Sequence, residues 1–245
     1  MTQKEKKSNI TKLWFKDWAN EYDNTLGKVK RHHLLLDLVV KKSNVKNCEK
    51  VLDIGIGTGL LSLKFLKAKD CQITGIDNSK EMLKICKEKI NELKLTDKIQ
   101  LKQMDAHNLD FPDNSFDIVA STVSLHHIKD KLPVIKKIYS ILKQDGRFVL
   151  GDIDLDTTGS LLNIKRFERL FAYLHDELIL ALKDGGIDAF KRMYDNGKKH
   201  ILNDGEYCIS FQDWSKLCKK AGFKEISVTP LKKFERFKVL VAVKK

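Results

Sequence analysis

One segment of the sequence constrains the fold more than any other, because it joins a short apolar run to three closely spaced glycines. The run covers residues 51–54, and Gly55, Gly57 and Gly59 follow it before an apolar pattern with helical spacing begins. Glycine adopts positive φ and lets the backbone approach a ligand, and a helix N-terminus offers free N–H groups to polar ligand atoms. The segment therefore predicts a strand, a ligand-binding loop and a helix in direct succession.

Strand-like and helix-like segments alternate on both sides of this loop. The predicted strands cover 50–54, 72–76, 99–104, 116–120 and 146–153, and the predicted helices cover 58–68, 79–93 and 130–142. Ser79 is the predicted N-cap of the second helix, and Pro133 falls in the first turn of the third, where its missing N–H costs no hydrogen bond. Such alternation predicts an α/β fold, a Rossmann-like doubly wound sheet whose strands are mostly parallel.

The pattern changes after Asp154. Residues 160–202 are mostly helical in pattern, and Phe211–Ala221 is a further helix closed by Gly222. Two late strands, at 223–228 and 238–243, lie too close in sequence for a crossover helix, so they predict an antiparallel hairpin that completes a seven-stranded sheet. We expect four units: an N-terminal helical lid over 1–45, a ligand-binding core over 46–154, a helical cap insertion over 155–210, and a C-terminal helix and hairpin over 211–245.

The positive charge is concentrated at the two ends of the chain. Lys and Arg number 46 against 33 Asp and Glu, a formal net charge of +13. Residues 1–50 and 206–245 each contribute +6, whereas 51–154 contribute +1 and 155–205 contribute 0. Basic ends attract phosphates, but a lysine-rich solvated surface gives the same count, so nucleic acid is an alternative partner that the sequence does not favour.

Cysteine usage and hydropathy indicate in which cellular compartment the protein is expected. The five cysteines form no C-x-x-C pair, which indicates reduced thiols and no zinc site, so no metal is expected. There is no apolar run of about 18 residues that would span a membrane, and the basic start lacks the apolar segment of a secretory signal. We therefore expect a cytoplasmic protein without a membrane span.

The spacing of the glycines distinguishes between nucleotide ligands. A dinucleotide fingerprint is G-x-G-x-x-G, whereas here the third glycine comes one residue earlier and Leu60 follows it. Asp77 ends the second predicted strand, where an acid can accept both hydroxyls of a ribose. The combination disfavours an NAD-dependent oxidoreductase, and it predicts a nucleoside ligand.

These segments together resemble the class I S-adenosylmethionine-dependent methyltransferases, and most of all the branch with the ubiquinone/menaquinone biosynthesis C-methyltransferases. The resemblance covers about 14–154 and 211–243, and it rests on the order and spacing of short motifs. They are Val51-Leu52-Asp53-Ile54-Gly55-x-Gly57-x-Gly59, Gly75-Ile76-Asp77-x-Ser79, Met104-Asp105-Ala106, Phe111-Pro112-Asp113-x-Ser115-Phe116-Asp117, Ser124-Leu125-His126-His127, Leu142-Lys143-x-Asp145-Gly146-Arg147 and Ala221-Gly222-Phe223.

The resemblance implies S-adenosyl-L-methionine as cofactor and S-adenosyl-L-homocysteine as product, and it implies positions for the cofactor's parts. The expected contacts are Asp53, Gly55, Gly57 and Ser121 around the methionine part, Asp77 on the ribose, Asn78 and Met82 beside the adenine, and Asp105 and Ala106 at the adenine amino group. Tyr22 belongs to an aromatic stripe with Trp14 and Trp18, and it is the candidate for a lid residue over the cofactor. Plain packing of that stripe on the core is the alternative.

The methyl acceptor is less constrained. His126 and His127 follow the fourth predicted strand, and His127 is the preferred general base, with a purely structural loop histidine as the alternative. In the insertion, the candidates for an acceptor pocket are Phe167, Phe171, Tyr173 and Tyr194, with Arg166 and His175 for polar contacts, and helix packing is again the alternative.

Two absent motifs bear on the acceptor class. The fourth predicted strand leads into Ser121-Thr122-Val123-Ser124 and not into Asn/Asp-Pro-Pro-Tyr, the motif found in enzymes that methylate exocyclic amines of nucleobases. The sequence also lacks the Pro-Cys that carries the nucleophile in enzymes that methylate pyrimidine carbons. We therefore expect a small-molecule methyl acceptor. An RNA methyltransferase that uses the basic ends and a non-catalytic S-adenosylmethionine-binding protein stay open as alternatives.

Overall fold

A seven-stranded sheet organises the chain in the computed structural model, which describes residues 22–23, 26–157, 163–197 and 207–245. The described strands are β1 (Lys50–Ile54), β2 (Gln72–Asp77), β3 (Ile99–Gln103), β4 (Phe116–Thr122), β5 (Leu142–Ile153), β6 (Glu225–Leu231) and β7 (Phe234–Val243). The described α-helices are α1 (Lys30–Ser43), α2 (Leu60–Ala68), α3 (Lys80–Glu92), α4 (Lys131–Ile141), α5 (Ile164–Asn196) and α6 (Phe211–Ala221).

The strand order is β3-β2-β1-β4-β5-β7-β6, and it reverses direction at β1. The first five strands pair in parallel, whereas β7 runs antiparallel between β5 and β6. In the middle of the sheet Asp53 lies opposite Gly75 on one side and Ala120 on the other. Open α/β sheets bind ligands at the carboxyl ends of the strands beside such a reversal, which puts the glycine loop after β1 at the expected place. The predicted seven-stranded, mostly parallel fold is confirmed.

Helices cover both faces of the sheet. On one face α1, α2 and α3 bury Leu35, Val39, Phe65 and Ile90 against the strands. On the other face α4 and α6 bury apolar side chains, and Trp214 of α6 is among the largest fully buried ones. Because β1 is covered on both sides, residues 51–54 are buried without alternation, as is typical of a central parallel strand.

Several predicted boundaries agree with the structure. Helix α6 spans the predicted Phe211–Ala221, and it ends at Gly222 with a φ of 115°. Ser79 caps α3, and its hydroxyl accepts from the Met82 backbone N–H at 3.2 Å. Both helices have a residue at one end whose own chemistry marks the boundary, which explains why they were predictable.

Other boundaries need correction. Helix α2 begins at Leu60, not at 58, because Gly59 takes a φ of 90° and acts as its N-cap. Strand β5 begins at Leu142, directly after α4, since Leu142 already pairs with Phe116. The predicted ten-residue connection between the last two strands is in fact a tight turn, because β6 runs on to Leu231 and β7 starts at Phe234.

The cap insertion is described over 163–197, where α5 is a 33-residue helix with a break at Gly186, whose φ is 71°. Its inner face is joined to α1 by an ion pair between Arg31 and Glu177, both nearly buried. The Arg31 guanidinium also lies 3.9 Å from the centre of the Phe237 ring. Trp14, Trp18 and most of the predicted lid fall outside the described residues.

Four of the five cysteines, Cys71, Cys86, Cys208 and Cys218, are buried, and Cys48 is exposed. In the described ranges no helix combines the length and the hydropathy that crossing a bilayer requires.

Candidate functional site

The glycine loop after β1 is held in a conformation that suits glycine. Gly55, Gly57 and Gly59 have φ values of 73°, 54° and 90°, in the left-handed region that other residues avoid. A Cβ on Gly55 would stand 2.1 Å from Ser124 Oγ, and one on Gly59 would stand 2.8 Å from Cys86 Sγ. On Gly57 a Cβ would meet nothing nearer than Gly55 O at 4.0 Å, so this glycine borders open space.

Asp77 connects this loop to the end of β2. Its Oδ2 accepts from the Gly57 N–H at 2.9 Å, and its Oδ1 accepts from the Ser79 N–H at 2.9 Å. Burial raises the pKa of the Asp77 carboxyl, and the backbone donors only partly oppose this shift. Two carboxylate oxygens offer about four acceptor positions, so the Asp77 carboxylate can still accept from further donors while it fixes the loop.

Asp53 lies beneath the loop at the end of β1. It is 1% exposed, and its Oδ2 accepts from the Ser62 hydroxyl at 2.7 Å. Burial raises the pKa of the Asp53 carboxyl to about 7, against the opposing effect of that hydrogen bond, and the charge of Asp77 raises the pKa further. Two carboxyls with raised pKa values therefore face one small region, a combination that marks functional sites more often than ordinary surfaces.

The candidates for the adenine side follow β2 and β3. Asn78 accepts through its backbone carbonyl from Gln103 Nε2 at 3.3 Å, and Met82 is 2% exposed on the first turn of α3. Asp105 is half-exposed and receives the His107 backbone N–H at 2.9 Å, while Ala106, partly buried, begins a short 3₁₀ turn. The structure brings these residues to the same edge of the sheet as Asp77, and their contact with a ligand stays a prediction.

Ser121 is placed differently from the expectation. Its side chain has no exposed surface, and its Oγ donates to the Ile54 carbonyl at 2.9 Å. The hydroxyl therefore ties β4 to β1 and does not face the site, which corrects the prediction that this side chain lines it.

Tyr22 and Asp23 lie over the start of α2. Asp23 accepts from Thr58 Oγ1 at 2.7 Å and from Lys89 Nζ at 2.6 Å, and the same ammonium donates to the Thr58 carbonyl at 2.9 Å. We call Asp23, Thr58 and Lys89 the Asp23 clamp.

Tyr22 precedes the clamp in the chain. Burial raises the pKa of the Tyr22 phenol, and the charges of Asp23 and Asp77 raise this pKa further. The lid candidate thus stands beside the predicted ribose acid. Sequence reasoning missed the clamp, because its members are far apart in the chain.

The two histidines after β4 occupy different environments. His126 is 3% exposed, and its Nδ1 lies 2.8 Å from Oδ1 of Asp152, which is itself fully buried on β5. His127 is half-buried, and its ring centre lies 4.2 Å from that of His126. Asp152 Oδ2 has no hydrogen-bond partner within the described ranges. Sequence reasoning missed Asp152, although an acid at the end of a buried strand is a signal in itself.

The aromatic residues predicted for an acceptor pocket have different environments. Phe167, Phe171 and Tyr194 of α5 are 57%, 63% and 53% exposed, whereas Tyr173 is buried in the core. Arg166 Nε donates to the Thr157 carbonyl at 2.7 Å, and His175 is exposed. The burial of Tyr173 agrees with the alternative of helix packing, and an acceptor pocket lined by the other three stays a prediction.

Comparisons with known proteins agree with this geometry. Residues 52–150 match the family described as "Methyltransferase domain". The uncharacterized methyltransferase YcgJ of Bacillus subtilis is 36% identical over 118 residues, 48% of this chain and 46% of that protein. The ubiquinone/menaquinone biosynthesis C-methyltransferase UbiE of Pseudoalteromonas translucida is 36% identical over 140 residues, 56% of each. The chain thus matches about half the length of these relatives.

A solved structure extends the likeness of the fold beyond that segment. Phosphoethanolamine N-methyltransferase 2 of Haemonchus contortus, in complex with S-adenosyl-L-methionine, superposes with a TM-score of 0.62 at 19% identity, over 94% of this chain and 60% of that one. Residues 52–150 thus match a methyltransferase domain, and the chain shares the fold of that solved methyltransferase.

The residues present fit that cofactor. The open space beside Gly57 is a cradle that any side chain at this position would fill, and the carboxylate of Asp77 borders it through the Gly57 N–H. Buried carboxyls at Asp53 and Asp77 suit a ligand with a sulfonium, an ammonium and ribose hydroxyls.

Proposed function

We propose that the protein is an S-adenosylmethionine-dependent methyltransferase that acts on a small-molecule acceptor. The observation that carries the proposal is the glycine cradle closed by Asp77 at the carboxyl ends of β1 and β2. A nucleoside ligand can use both features, since its ribose hydroxyls donate to the acid and its polar atoms approach the bare backbone.

In this proposal the chain's own residues bind and orient the reactants. Asp77 holds the ribose, Asn78, Met82, Asp105 and Ala106 flank the adenine, and Asp53, Gly55 and Gly57 surround the methionine part. When bound, S-adenosylmethionine would supply a methyl carbon that a nucleophile can attack in line, with S-adenosylhomocysteine as the leaving group. Catalysis then depends mainly on positioning and on exclusion of water, and the Asp23 clamp holds Tyr22 over the cradle for that purpose.

His127 is the proposed general base, and the His126–Asp152 pair positions it. The half-buried ring of His127 is within reach of an incoming molecule, whereas that of His126 is enclosed. Asp152 fixes the His126 ring through Nδ1, and that ring packs at 4.2 Å against His127. A base held in this way accepts a proton from a hydroxyl or an acidic carbon of the acceptor as the methyl group is transferred.

The names of two relatives and the proposed base support one class of acceptor. One relative is named for ubiquinone and menaquinone biosynthesis, and another, 34% identical over 104 residues, is named 27-O-demethylrifamycin SV methyltransferase. Aromatic rings that carry hydroxyl groups have protons that an imidazole can accept. We propose a hydroxylated aromatic or quinol-type ring as the acceptor.

The experiment that tests the proposal uses the full chain, S-adenosylmethionine labelled in its methyl group, and a metabolite extract, with mass identification of the labelled product. We expect a labelled hydroxylated aromatic compound, and loss of at least about 100-fold in its rate with His127→Ala. Label in RNA alone would favour the RNA methyltransferase reading. Retention of S-adenosylhomocysteine with no product from any fraction would favour a non-catalytic binding protein.

A separate binding measurement tests the cofactor. We expect S-adenosylhomocysteine to bind at low micromolar affinity or tighter by calorimetry, and NAD not to bind, because the third glycine is one residue too early for a dinucleotide. Binding of NAD without binding of S-adenosylhomocysteine would contradict the proposal.

A further inference from the structure

Lys131 is buried at a place in the fold where a positive charge is disfavoured for two reasons. It is the first residue of α4, and it is 4% exposed. The helix dipole repels a cation at an N-terminus, and lysine is almost never fully buried unless its charge is paired. Burial lowers the pKa of the Lys131 ammonium to about 8, and the charge of Asp152 opposes this shift. At pH 7 the side chain therefore still carries its charge, which has to be compensated.

Backbone carbonyls and an aromatic ring hold the ammonium group. Its Nζ donates to the Ile128 carbonyl and, at 2.5 Å, to the Tyr207 carbonyl. It also lies 5.5 Å from the centre of the Trp214 ring of α6. These neutral partners satisfy its N–H groups but bring no full negative charge. A buried cation needs a counter-ion as well, and the Asp152 carboxylate is the group that can provide it.

Asp152 is enclosed at the end of β5. Its side chain has no exposed surface, and its Oδ1 accepts from the Ile153 N–H at 2.8 Å and lies 2.8 Å from His126 Nδ1. Its Oδ2 has no hydrogen-bond partner in the part of the chain that the structure describes. A buried carboxylate of this kind needs a positive charge close to it. Two groups near Asp152 can carry that charge, the Lys131 ammonium and the His126 ring.

Two further charged groups at this end of β5 have partners of their own. Asp154 pairs with Lys238, and Arg166 Nε donates to the Thr157 carbonyl at 2.7 Å. The other titratable groups beside the cluster are His127, the buried thiol of Cys208, and the exposed side chains of Lys129 and Asp130. The charge of Asp152 acts on Lys131 and favours its protonated form.

We propose that Lys131 is a positioning residue for the general base, because as the counter-ion of Asp152 it keeps the His126 ring neutral. One buried carboxylate balances one cation, so the charged Lys131 leaves His126 uncharged, with its Nδ1–H donating to Asp152. The His126 ring packs at 4.2 Å against His127, and a cation in that ring would make His127 a weaker proton acceptor. The part of the inference that concerns His127 rests on the proposed function, whereas the charge of His126 does not.

Nitrogen NMR of the full chain, labelled in its histidine rings, tests the charge of His126. At pH 7 we expect a neutral ring in the parent, with its proton on Nδ1. Lys131→Met removes the counter-ion, so His126 should hold both ring protons at pH 7, and its titration midpoint should rise by about 1 to 3 pH units. Lys131→Arg keeps the charge and should give the signals of the parent. Lys136→Met, at an exposed position of α4, is the matched control and should do so too.

A second substitution separates the effect of charge from that of packing. Lys131→Met combined with Asp152→Asn removes both charges, and we expect His126 to be neutral again at pH 7. A loss of packing alone would not be reversed in this way. Asp152→Asn by itself gives a reading that does not require Lys131→Met to fold. Carbon NMR should then show the Lys131 titration midpoint lower by about 1 to 3 pH units, because its counter-ion is gone.

Formation of labelled product from methyl-labelled S-adenosylmethionine and the metabolite extract measures the effect on the reaction. At pH 7 we expect Lys131→Met to form the product at least about tenfold more slowly than the parent, since the base is weakened. Lys131→Arg and Lys136→Met should match the parent. The affinity for S-adenosylhomocysteine should stay within about threefold in all three variants, because the change lies at the proposed base and not at the cradle.

Three outcomes of the NMR experiments would overturn the inference. They are a parent ring of His126 with both protons at pH 7, a folded Lys131→Met variant whose His126 stays neutral, and an Asp152→Asn variant in which Lys131 titrates as in the parent. A charged His126 in Lys131→Met with product formed at the parent's rate would overturn the role toward His127. A parent that forms no product although His126 responds as expected would refute the proposed function and support the charge assignment.

Discussion

At the scale of single residues, Asp77 is proposed to bind the ribose and is seen to hold the glycine loop, and its substitution tests both roles. We predict that Asp77→Ala weakens S-adenosylhomocysteine binding by roughly 30- to 700-fold, because two charge-assisted hydrogen bonds to ribose hydroxyls are lost and water replaces them in part, a net loss of about 2–4 kcal/mol. The variant also leaves the Gly57 and Ser79 N–H groups without their acceptor. We therefore expect it to unfold about 1–3 kcal/mol more easily. Calorimetry and denaturant unfolding measure the two effects.

Two further variants bracket this result. Asp77→Asn keeps one acceptor oxygen and should lose less of both affinity and stability. Asp97→Ala changes an exposed acid in the turn before β3 and should change neither. If Asp77→Ala remains folded and binds S-adenosylhomocysteine within threefold of the parent, the ribose assignment fails.

The raised pKa of Asp53 predicts how stability depends on pH. The folded state holds the Asp53 proton up to about pH 7, whereas the unfolded carboxyl releases it near pH 4. A carboxyl with a raised folded pKa binds its proton more tightly when folded, so its contribution to stability falls as pH rises from about 4 to about 7. Asp53→Asn removes this dependence while an amide oxygen still accepts from Ser62. We expect the variant to gain stability on the parent between pH 5 and pH 8, on the order of 2–4 kcal/mol.

Denaturant unfolding at the two pH values measures this gain. Asp113→Asn, an exposed acid, is the control and should keep a constant offset from the parent at both. A constant offset for Asp53→Asn as well would mean that its carboxyl is already ionised in the folded state at pH 5.

At the scale of elements, the Asp23 clamp joins the segment before α1 to α2 and α3. Lys89 donates to both Asp23 and Thr58, and its side chain is 22% exposed. We predict that Lys89→Met releases Tyr22 from the cradle, which should speed proteolysis N-terminal to Leu26. It should also weaken S-adenosylhomocysteine binding by about 3- to 10-fold, since a partly solvated ion pair of this kind contributes about 1 kcal/mol.

The matched control for the clamp is Lys87→Met, an exposed lysine on the same helix, which should behave like the parent in both measurements. Addition of S-adenosylhomocysteine should slow the proteolysis of the parent more than that of Lys89→Met. Equal cleavage rates for parent and Lys89→Met would show that the clamp does not hold the segment.

Elements were predictable where local chemistry marks them. Glycine at 222 and serine at 79 end or start helices through their own backbone and hydroxyl groups, so α6 and α3 have the expected bounds. Where pairing between strands sets the boundary of an element, the predicted boundary was wrong. Strand β5 begins at Leu142 and not at 146, because Leu142 pairs with Phe116 on the neighbouring strand β4.

The same distinction holds for the site. The glycine spacing and Asp77 follow from local requirements of a strand–loop–helix unit, and the sequence was enough to predict them. Asp152 reaches His126 from a position 26 residues away, and Asp23 reaches Lys89 across 66 residues. No local pattern encodes such pairs. For Ser121 the position at the end of β4 was predicted, but the direction of its side chain, toward the Ile54 carbonyl, was not.

At the scale of the whole molecule, described parts of the two basic ends lie against each other. Helix α1, from the N-terminal part, packs against β5 and the C-terminal β7. The cradle lies instead at β1 and β2, in the part of the chain whose net charge is only +1. The excess of positive charge therefore belongs to the two end segments of the chain and not to the segment that carries the glycine loop.

The salt dependence of turnover tests whether the basic ends bind the acceptor. For a neutral small-molecule acceptor, we predict that kcat/KM changes by less than about threefold between 50 and 200 mM NaCl, because no phosphate has to be bound and no counterions are released. An RNA acceptor that neutralises as few as four phosphates, at a slope of about −0.7 for each on a single strand, would lose about 50-fold over the same range. Initial rates at subsaturating acceptor measure the ratio directly. Retention of S-adenosylhomocysteine affinity at both salt concentrations serves as the control for the cradle, and a steep fall in kcat/KM with unchanged cofactor affinity would assign the basic ends to the acceptor.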